Sequence, residues 1–365
     1  MQEKLNILFL TFQGDTAGST NSIAFLTKGL AERGHNVYLG IRREALLWQL
    51  VEGSKVHRIP MTFNGKFDLT NWKQIKDAVI TYKIHLINAQ SSYDRYTSIF
   101  ARIRYRLKCK VIHTRRQMPM STGGLLQKLF INKNIEGMVA VSQPVSEALI
   151  NLGVDKDLIT VIHNGTPLEK YATLDEAKTT QLKEKFNIQP NDIVIGCVSR
   201  MKNQLQIIKA LQLVSTPVKM IFCGIEGTDE MNEIIAQYNT AHEIFFEGHV
   251  PGEEVLNYYP LFSMKVLAST MEGLSQSLLE AMALGVPVIA TAFAGNLDLI
   301  KNDENGLLFE DGNIGHIARC INSLIDNEPL RQQLIKQGKE TALVKFNIEN
   351  TISNYEKYFR NLTLL

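Results

Sequence analysis

Two glutamates, Glu272 and Glu280, stand with seven residues between them in the otherwise largely apolar stretch "MEGLSQSLLEAMALGVPVIAT" (271–291). Carboxylates among core-like neighbours can do two things. One is capping: Ser277-x-x-Glu280 has the spacing of a capping box, and Gly285 followed by Pro287 marks a helix stop. The other is ligand binding. A helix starting near 275–277 offers unpaired N–H groups and a positive dipole end, which suits an anion such as a diphosphate. The flanking carboxylates could then accept hydrogen bonds from sugar hydroxyls. Both readings use the same geometry.

Other residue groups carry similar potential. In "SRMKNQ", Arg200 and Lys202 come off the end of a strand-like run. Arginine grips phosphate bidentately and lysine acts as a point charge; the plain alternative is two solvated loop cations. "FQGDTAGST" (12–20) is a turn in which Gly14 and Gly18 would let the backbone approach a ligand. It matches neither the dinucleotide fingerprint nor a phosphate-binding P-loop. Segment 95–135 holds ten Lys and Arg and no Asp or Glu, with Arg102, Arg104, Arg106, Lys108 and Lys110 around Tyr105 and Leu107. It reads either as a solvated helix face or as a basic surface for anionic lipid head groups or a phosphorylated acceptor. Nucleic acid is disfavoured because the other half of the chain is acidic. Asp155 and Asp157 form an Asp-x-Asp that fits a surface turn better than a metal-bound nucleotide. The histidines show no metal-ligand spacing. His35 follows Gly34 at a helix end, where it can meet the dipole, and His113 ends a strand that would open on a cleft.

These groups need elements to place them. The 365 residues suffice for two domains. Residues 1–165 hold 22 Lys and Arg against 12 Asp and Glu, while the remainder holds 17 against 25. This sign change supports two domains with different partners. Seven strand-like runs, from "LNILFLT" to "ITVIHN", alternate with helical patterns, and six more follow from "DIVIGCVS" to "GLLFE". Continuous apolar runs of this kind suit strands buried on both faces. The pattern predicts an α/β chain with two doubly wound, parallel, Rossmann-like sheets. The polar region 166–190, with Pro167 and Pro190, reads as the seam. Helical stretches at about 313–341 and 347–361 close the chain. The default site is the cleft between facing strand ends.

Taken together, these segments resemble the retaining glycosyltransferases of the GT-B fold, in family 4, also called group 1. The resemblance covers nearly the whole chain and is strongest at 192–312. "EGLSQSLLEAMALGVPVIAT" matches the family's signature of two glutamates, and "AGNLDLI" and "NGLLFEDGN" follow it as in the family. "VIHNGTP" and "LAERGHNV" are also family-like. The resemblance implies GT-B architecture: an acceptor domain at 1–165, a donor domain at 166–345, and a helix at 346–365 returning to the first domain. It implies that Glu272 meets hydroxyls of the donor sugar and Glu280 the nucleotide ribose. Backbone at Gly273, Leu274 and Ser275 would line sugar and diphosphate, Arg200 and Lys202 would neutralise the diphosphate, and Gly18 would face it from the other domain. Three departures stand out. Only Met201 separates Arg200 from Lys202, where the family usually has four residues. The first loop's glycine pair is Ala17-Gly18, and the position that often holds an active-site histidine is Arg116. Arg116 and His113 are the expected contacts to acceptor or sugar.

The resulting expectation is a retaining hexosyltransferase moving a sugar from a nucleoside diphosphate donor to a hydroxyl of a glycan or glycolipid, in cell-surface polysaccharide or lipopolysaccharide synthesis. No metal and no other cofactor is expected, because protein cations would stabilise the leaving group. The start "MQEKLNILFLTFQG" lacks a signal peptide, no apolar run approaches the roughly 20 residues needed to span a bilayer, and the four scattered cysteines fit a reducing compartment. These features predict a cytoplasmic protein, with 95–135 contacting the inner face of an anionic membrane as a peripheral partner. Two other classes stay open: a different GT-B enzyme, such as a sugar-nucleotide epimerase or a glycan phosphorylase, and a non-catalytic sugar-nucleotide- or glycan-binding relative.

Overall fold

The computed structural model describes residues 3–15, 18–119, 124–172, 174–237, 241–252 and 254–363. The chain divides into two compact units, Met1–Gly165 with Ile348–Leu365, and Thr166–Asn347. Each is built on one parallel sheet.

In the first unit the strands are β1 (Asn6–Leu10), β2 (Asn36–Ile41), β3 (His57–Pro60), β4 (Leu86–Ala89), β5 (Lys110–Arg115), β6 (Gly137–Ala140) and β7 (Ile159–Val161). Their order is β3-β2-β1-β4-β5-β6-β7. Alternation along β1 shows why it reads as an unbroken apolar run: Ile7 and Phe9 enter the core on one face, Leu8 and Leu10 the core on the other. The helix Ile348–Thr363 completes the first of these cores with Ile352, Tyr355 and Phe359. It lies so close that a Cβ on Gly29 would meet Ile352 Cδ1 at 2.1 Å.

The second unit holds β8 (Ile193–Val198), β9 (Val218–Cys223), β10 (Glu243–Phe246), β11 (Met264–Leu267), β12 (Val288–Thr291) and β13 (Leu307–Phe309), in the order β10-β9-β8-β11-β12-β13. Both sheets therefore reverse direction once, between β1 and β4 and between β8 and β11. At such a point the loops leaving two neighbouring strands diverge to opposite faces and open a crevice, where ligands bind in open α/β sheets.

Two sequence expectations need correcting. The helical stretch expected at 313–341 is two helices, Ile314–Asp326 and Glu328–Glu340. Pro329 cannot donate into a continuing helix, and Asn327 caps the second helix by accepting from Leu330 N at 3.0 Å. The alternating cations of 102–110 do not form one face. The helix Ser92–Tyr105 ends at Arg106, whose φ of 52° is left-handed, and the chain then enters β5. Among the described residues, no helix is long and apolar enough to cross a membrane.

Candidate active site

The second unit's crevice is built by the loops after β8 and β11. After β8, Gln204 is fully buried and organises the turn: its side chain donates to Arg200 O at 2.7 Å and Ser199 Oγ at 2.8 Å, and accepts from Lys202 N. Gly224, with φ +102°, presses on this turn; a Cβ there would stand 2.6 Å from Ser199 O. Arg200 is exposed, and its guanidinium makes no hydrogen bond or ion pair among the described residues. Lys202 Nζ instead pairs with Glu272 Oε1 at 2.8 Å. Ser269 Oγ donates to the same carboxylate oxygen at 3.1 Å. The loop after β11 thus brings Glu272 to the cation loop after β8, across 70 residues of sequence.

Beyond Glu272 the chain turns into the helix Gln276–Ala283. The N–H groups of Gly273, Leu274 and Ser275 find no partner among the described residues, so three backbone donors remain ahead of a positive helix end. Gly295 holds this turn from outside: its N–H donates to Glu272 O at 3.1 Å, and a Cβ there would fall 1.7 Å from Gly273 O. Ser275 is the cap, its Oγ accepting from Leu278 N at 3.4 Å. The capping box expected from Ser277 and Glu280 is therefore not formed. Glu280, 7% exposed, points inward, accepting from Tyr259 OH at 2.8 Å and pairing with Lys170. Ser277 Oγ accepts instead from the buried Lys265 Nζ at 2.7 Å.

In the first unit, Asp94 organises the corresponding crevice. It is fully buried, starts the helix Ser92–Tyr105 in a capping box with Ser91, and accepts from Phe12 N at 3.1 Å and Gln90 N at 2.6 Å. It thereby ties the loop after β1 to the loop after β4. Gly18 begins the helix Gly18–Glu32 and is exposed, while Ala17 lies outside the described residues. Gly14 has another task than the one expected. A Cβ there would come within 2.5 Å of Ile41 Cδ1, so the missing side chain admits core packing rather than a ligand. Arg116 follows β5 and is 9% exposed; its Nε donates to Gln90 Oε1 at 2.9 Å and its Nη1 to Asn164 Oδ1 at 2.6 Å, while Nη2 has no partner among the described residues. His113 lies within β5, 1% exposed, rather than at its open end. Burial, with the charges of Arg95 and Arg115, pushes its pKa well below the usual imidazole value, so it is neutral.

Two family models divide the chain between them. The glycosyltransferase family 4 model matches residues 16–170, and the glycosyl transferases group 1 model matches 178–341. The chain belongs to the family 4, group 1 glycosyltransferases. An uncharacterized glycosyltransferase of Methanocaldococcus jannaschii is 28% identical over 83% of this chain and 81% of its own length. The capsular polysaccharide biosynthesis glycosyltransferase CapM of Staphylococcus aureus is 29% identical over 58% and 57%. Among solved structures, Anabaena HepE in complex with UDP superposes with a TM-score of 0.84 at 19% identity, covering 98% of this chain and all of that one. The two parallel-sheet α/β domains are those of the GT-B fold.

The glycosyltransferase thus gathers Arg200, Lys202, Glu272, Gly273, Leu274, Ser275 and Glu280 at the β8/β11 crevice. Arg116 stands in the other unit. Sequence reasoning missed Lys170, Tyr259, Ser269 and Gln204, which fix the two glutamates and the cation loop. None carries a motif of its own. It also missed Lys265, although a lysine inside the apolar run "MKVLAS" was a visible signal. Asp155 caps a short turn by accepting from Asp157 N at 3.1 Å, as a surface turn requires. The basic segment is uneven: Arg104, Arg106 and Lys108 are exposed, whereas Arg102 is held by Glu136 at 2.7 Å.

Proposed function

We propose that this glycosyltransferase takes a sugar from a nucleoside diphosphate donor and transfers it, with retention at the anomeric carbon, to a hydroxyl of a glycan or glycolipid of the cell surface. One observation carries the donor reading: the Lys202–Glu272 pair stands beside the unpaired N–H groups of Gly273, Leu274 and Ser275. As the glycosidic bond to the leaving group breaks, the sugar gains oxocarbenium character and the diphosphate gains negative charge. Arg200, Lys202 and the helix start would stabilise that charge without reorganising. Glu272 would accept from sugar hydroxyls while steering Lys202. Glu280 would accept from the ribose; a carboxylate has about four lone-pair sites, and Lys170 and Tyr259 occupy two. In the first unit, Gly18 would let a ligand approach the backbone at a helix start, and Arg116 would take an acidic or hydroxyl group of the acceptor or sugar. Protein cations would do the work of a metal.

The HepE complex with UDP and the capsular role in the name of CapM support a nucleotide sugar and a polysaccharide pathway. The exposed Arg104, Arg106 and Lys108 support contact with an anionic membrane through 95–135. The deciding experiment incubates the protein with a panel of nucleotide sugars, with and without glycan acceptors, and measures free nucleoside diphosphate. Release with one donor is expected, undiminished by chelator; release that needs Mn²⁺ or Mg²⁺ would refute the metal-free scheme. No release with any donor would favour a non-catalytic relative. Salt-sensitive co-sedimentation with anionic liposomes is expected, and its absence would remove the membrane partner.

A further inference from the structure

Lys265 lies on β11, in the middle of the second unit's sheet, and is 0% exposed. Its strand neighbours Met264, Val266 and Leu267 are all buried apolar residues. An apolar side chain of similar length would suit the site and would spare the fold the desolvation of an ammonium group. Among the described residues, its one side-chain hydrogen bond runs from Nζ to Ser277 Oγ, 2.7 Å away, in the first turn of the helix Gln276–Ala283. The Tyr259 ring lies 5.9 Å from the ammonium, and Tyr259 OH itself donates to Ser277 O at 3.1 Å and to Glu280. A lysine that costs folding stability, and whose single side-chain bond reaches a proposed ligand-facing turn, has its use in the liganded state.

We propose that Lys265 is a positioning residue for the donor's diphosphate: through Ser277 it fixes the first turn of the helix Gln276–Ala283 and adds a full buried charge behind that turn's positive end. The inference rests on the donor reading above. A charge in a dry interior is screened far less than one in water, so it acts at the ligand although it does not touch it. The groups facing the ammonium are Cys197 on β8, Cys223 on β9, Glu272 in the loop after β11, Glu280 on the helix and Tyr259. Burial pushes Lys265 down to about 8, with both glutamates opposing the fall. Burial pushes the Cys197 thiol up to about 11 and raises Cys223 and Tyr259 as well, so these stay protonated where Lys265 titrates. Diphosphate affinity therefore falls as the pH rises through about 8.

The test compares the full chain with Lys265→Met by calorimetric titration of UDP, GDP and ADP, and of the matching monophosphates, at about pH 7 and about pH 9. Lys265→Met is expected to melt at the same or a higher temperature. Its affinity for the diphosphate that the native protein binds should fall by roughly tenfold, with a smaller loss for the monophosphate. The native protein should lose affinity between the two pH values and the variant should not. Ser277→Ala, which keeps the charge but removes its anchor, should give an intermediate loss and retain the pH dependence. Diphosphate affinity within about twofold of native, or equal losses for mono- and diphosphate, would overturn the role of Lys265 while leaving the donor reading intact. A native protein that binds none of the three diphosphates would overturn the donor reading, and this inference with it.

Discussion

The two units hold key cations in different ways. In the second unit, two lysines are matched to carboxylates, Lys202 to Glu272 and Lys170 to Glu280, while Arg200 has no partner among the described residues. In the first, Arg116 is held by the neutral amides of Gln90 and Asn164, and no carboxylate pairs with Arg95 or Arg115 among the described residues. Burial and the neighbouring Arg95 push Arg115 down to about 9. A matched cation is set in place before a ligand arrives, but it shares its charge with its partner. An unmatched one keeps its full attraction for an anion, and folding bears the uncompensated desolvation. Preorganisation and attraction are thus divided between the Lys202–Glu272 pair and Arg116.

The sharpest way to separate the units is to damage one core. Phe359 is fully buried and meets Phe9 edge-on at 6.2 Å, so Phe359→Ala should cost about 3–5 kcal/mol. Hydrogen exchange should then accelerate in β1 and β2 while β8 and β11 stay protected; uniform acceleration would show that the units unfold together. Next comes the matched pair. Lys202→Met should cost about 2.7–4 kcal/mol in the transition state, by analogy with a lost oxyanion donor. Adding Glu272→Gln should cost less than the two single losses combined, because the residues act as a pair. Strict additivity in kcat would show that the pair does not act as a unit. For the unmatched cation, Arg116→Ala should lower kcat/KM for the acceptor by roughly tenfold and leave nucleoside diphosphate affinity unchanged. Unaltered kinetics would make Arg116 structural.

The smallest effect is acid sensitivity of the first unit. Burial opposes ionisation of Glu356, but hydrogen bonds from Arg360, Arg33 and His35 outweigh it and hold the carboxyl at about 2, against an ordinary value of 4.5. A depressed carboxylate contributes stability above its unfolded pKa and loses it as pH falls through the folded one. About 1–2 kcal/mol should therefore disappear between about pH 4.5 and about pH 2. Burial lowers the His35 pKa, so its protonation at acid pH also opposes folding. Glu356→Gln should flatten the acid limb of a pH–melting curve, and an unchanged limb would place the sensitivity elsewhere. His35, expected to serve a helix dipole, instead accepts from Leu5 N at 3.2 Å and meets Glu356.

The strands were legible because buried parallel strands must be apolar on both faces, so each run announced itself. The strand-end position of Arg200 and Lys202 was legible, whereas Glu272 was singled out by the resemblance to the family rather than by its spacing alone. The helix cap was not: Ser275 and Ser277 both satisfy the local pattern, and Lys265 decided between them by occupying Ser277. Lys170 was hidden because its partner lies 110 residues away, and nothing in local sequence encodes such a pairing. His113 illustrates the converse. Its position on a strand was readable, but its enclosure depends on the helix that carries Arg95.

The helix Ile348–Thr363 has a consequence for synthesis. It belongs to the first unit's core, yet it leaves the ribosome only after all of Thr166–Asn347 has emerged. The second unit is continuous in sequence and can close while the first still exposes the groove awaiting Ile352, Tyr355 and Phe359. The amino-terminal half is thus made first and finished last.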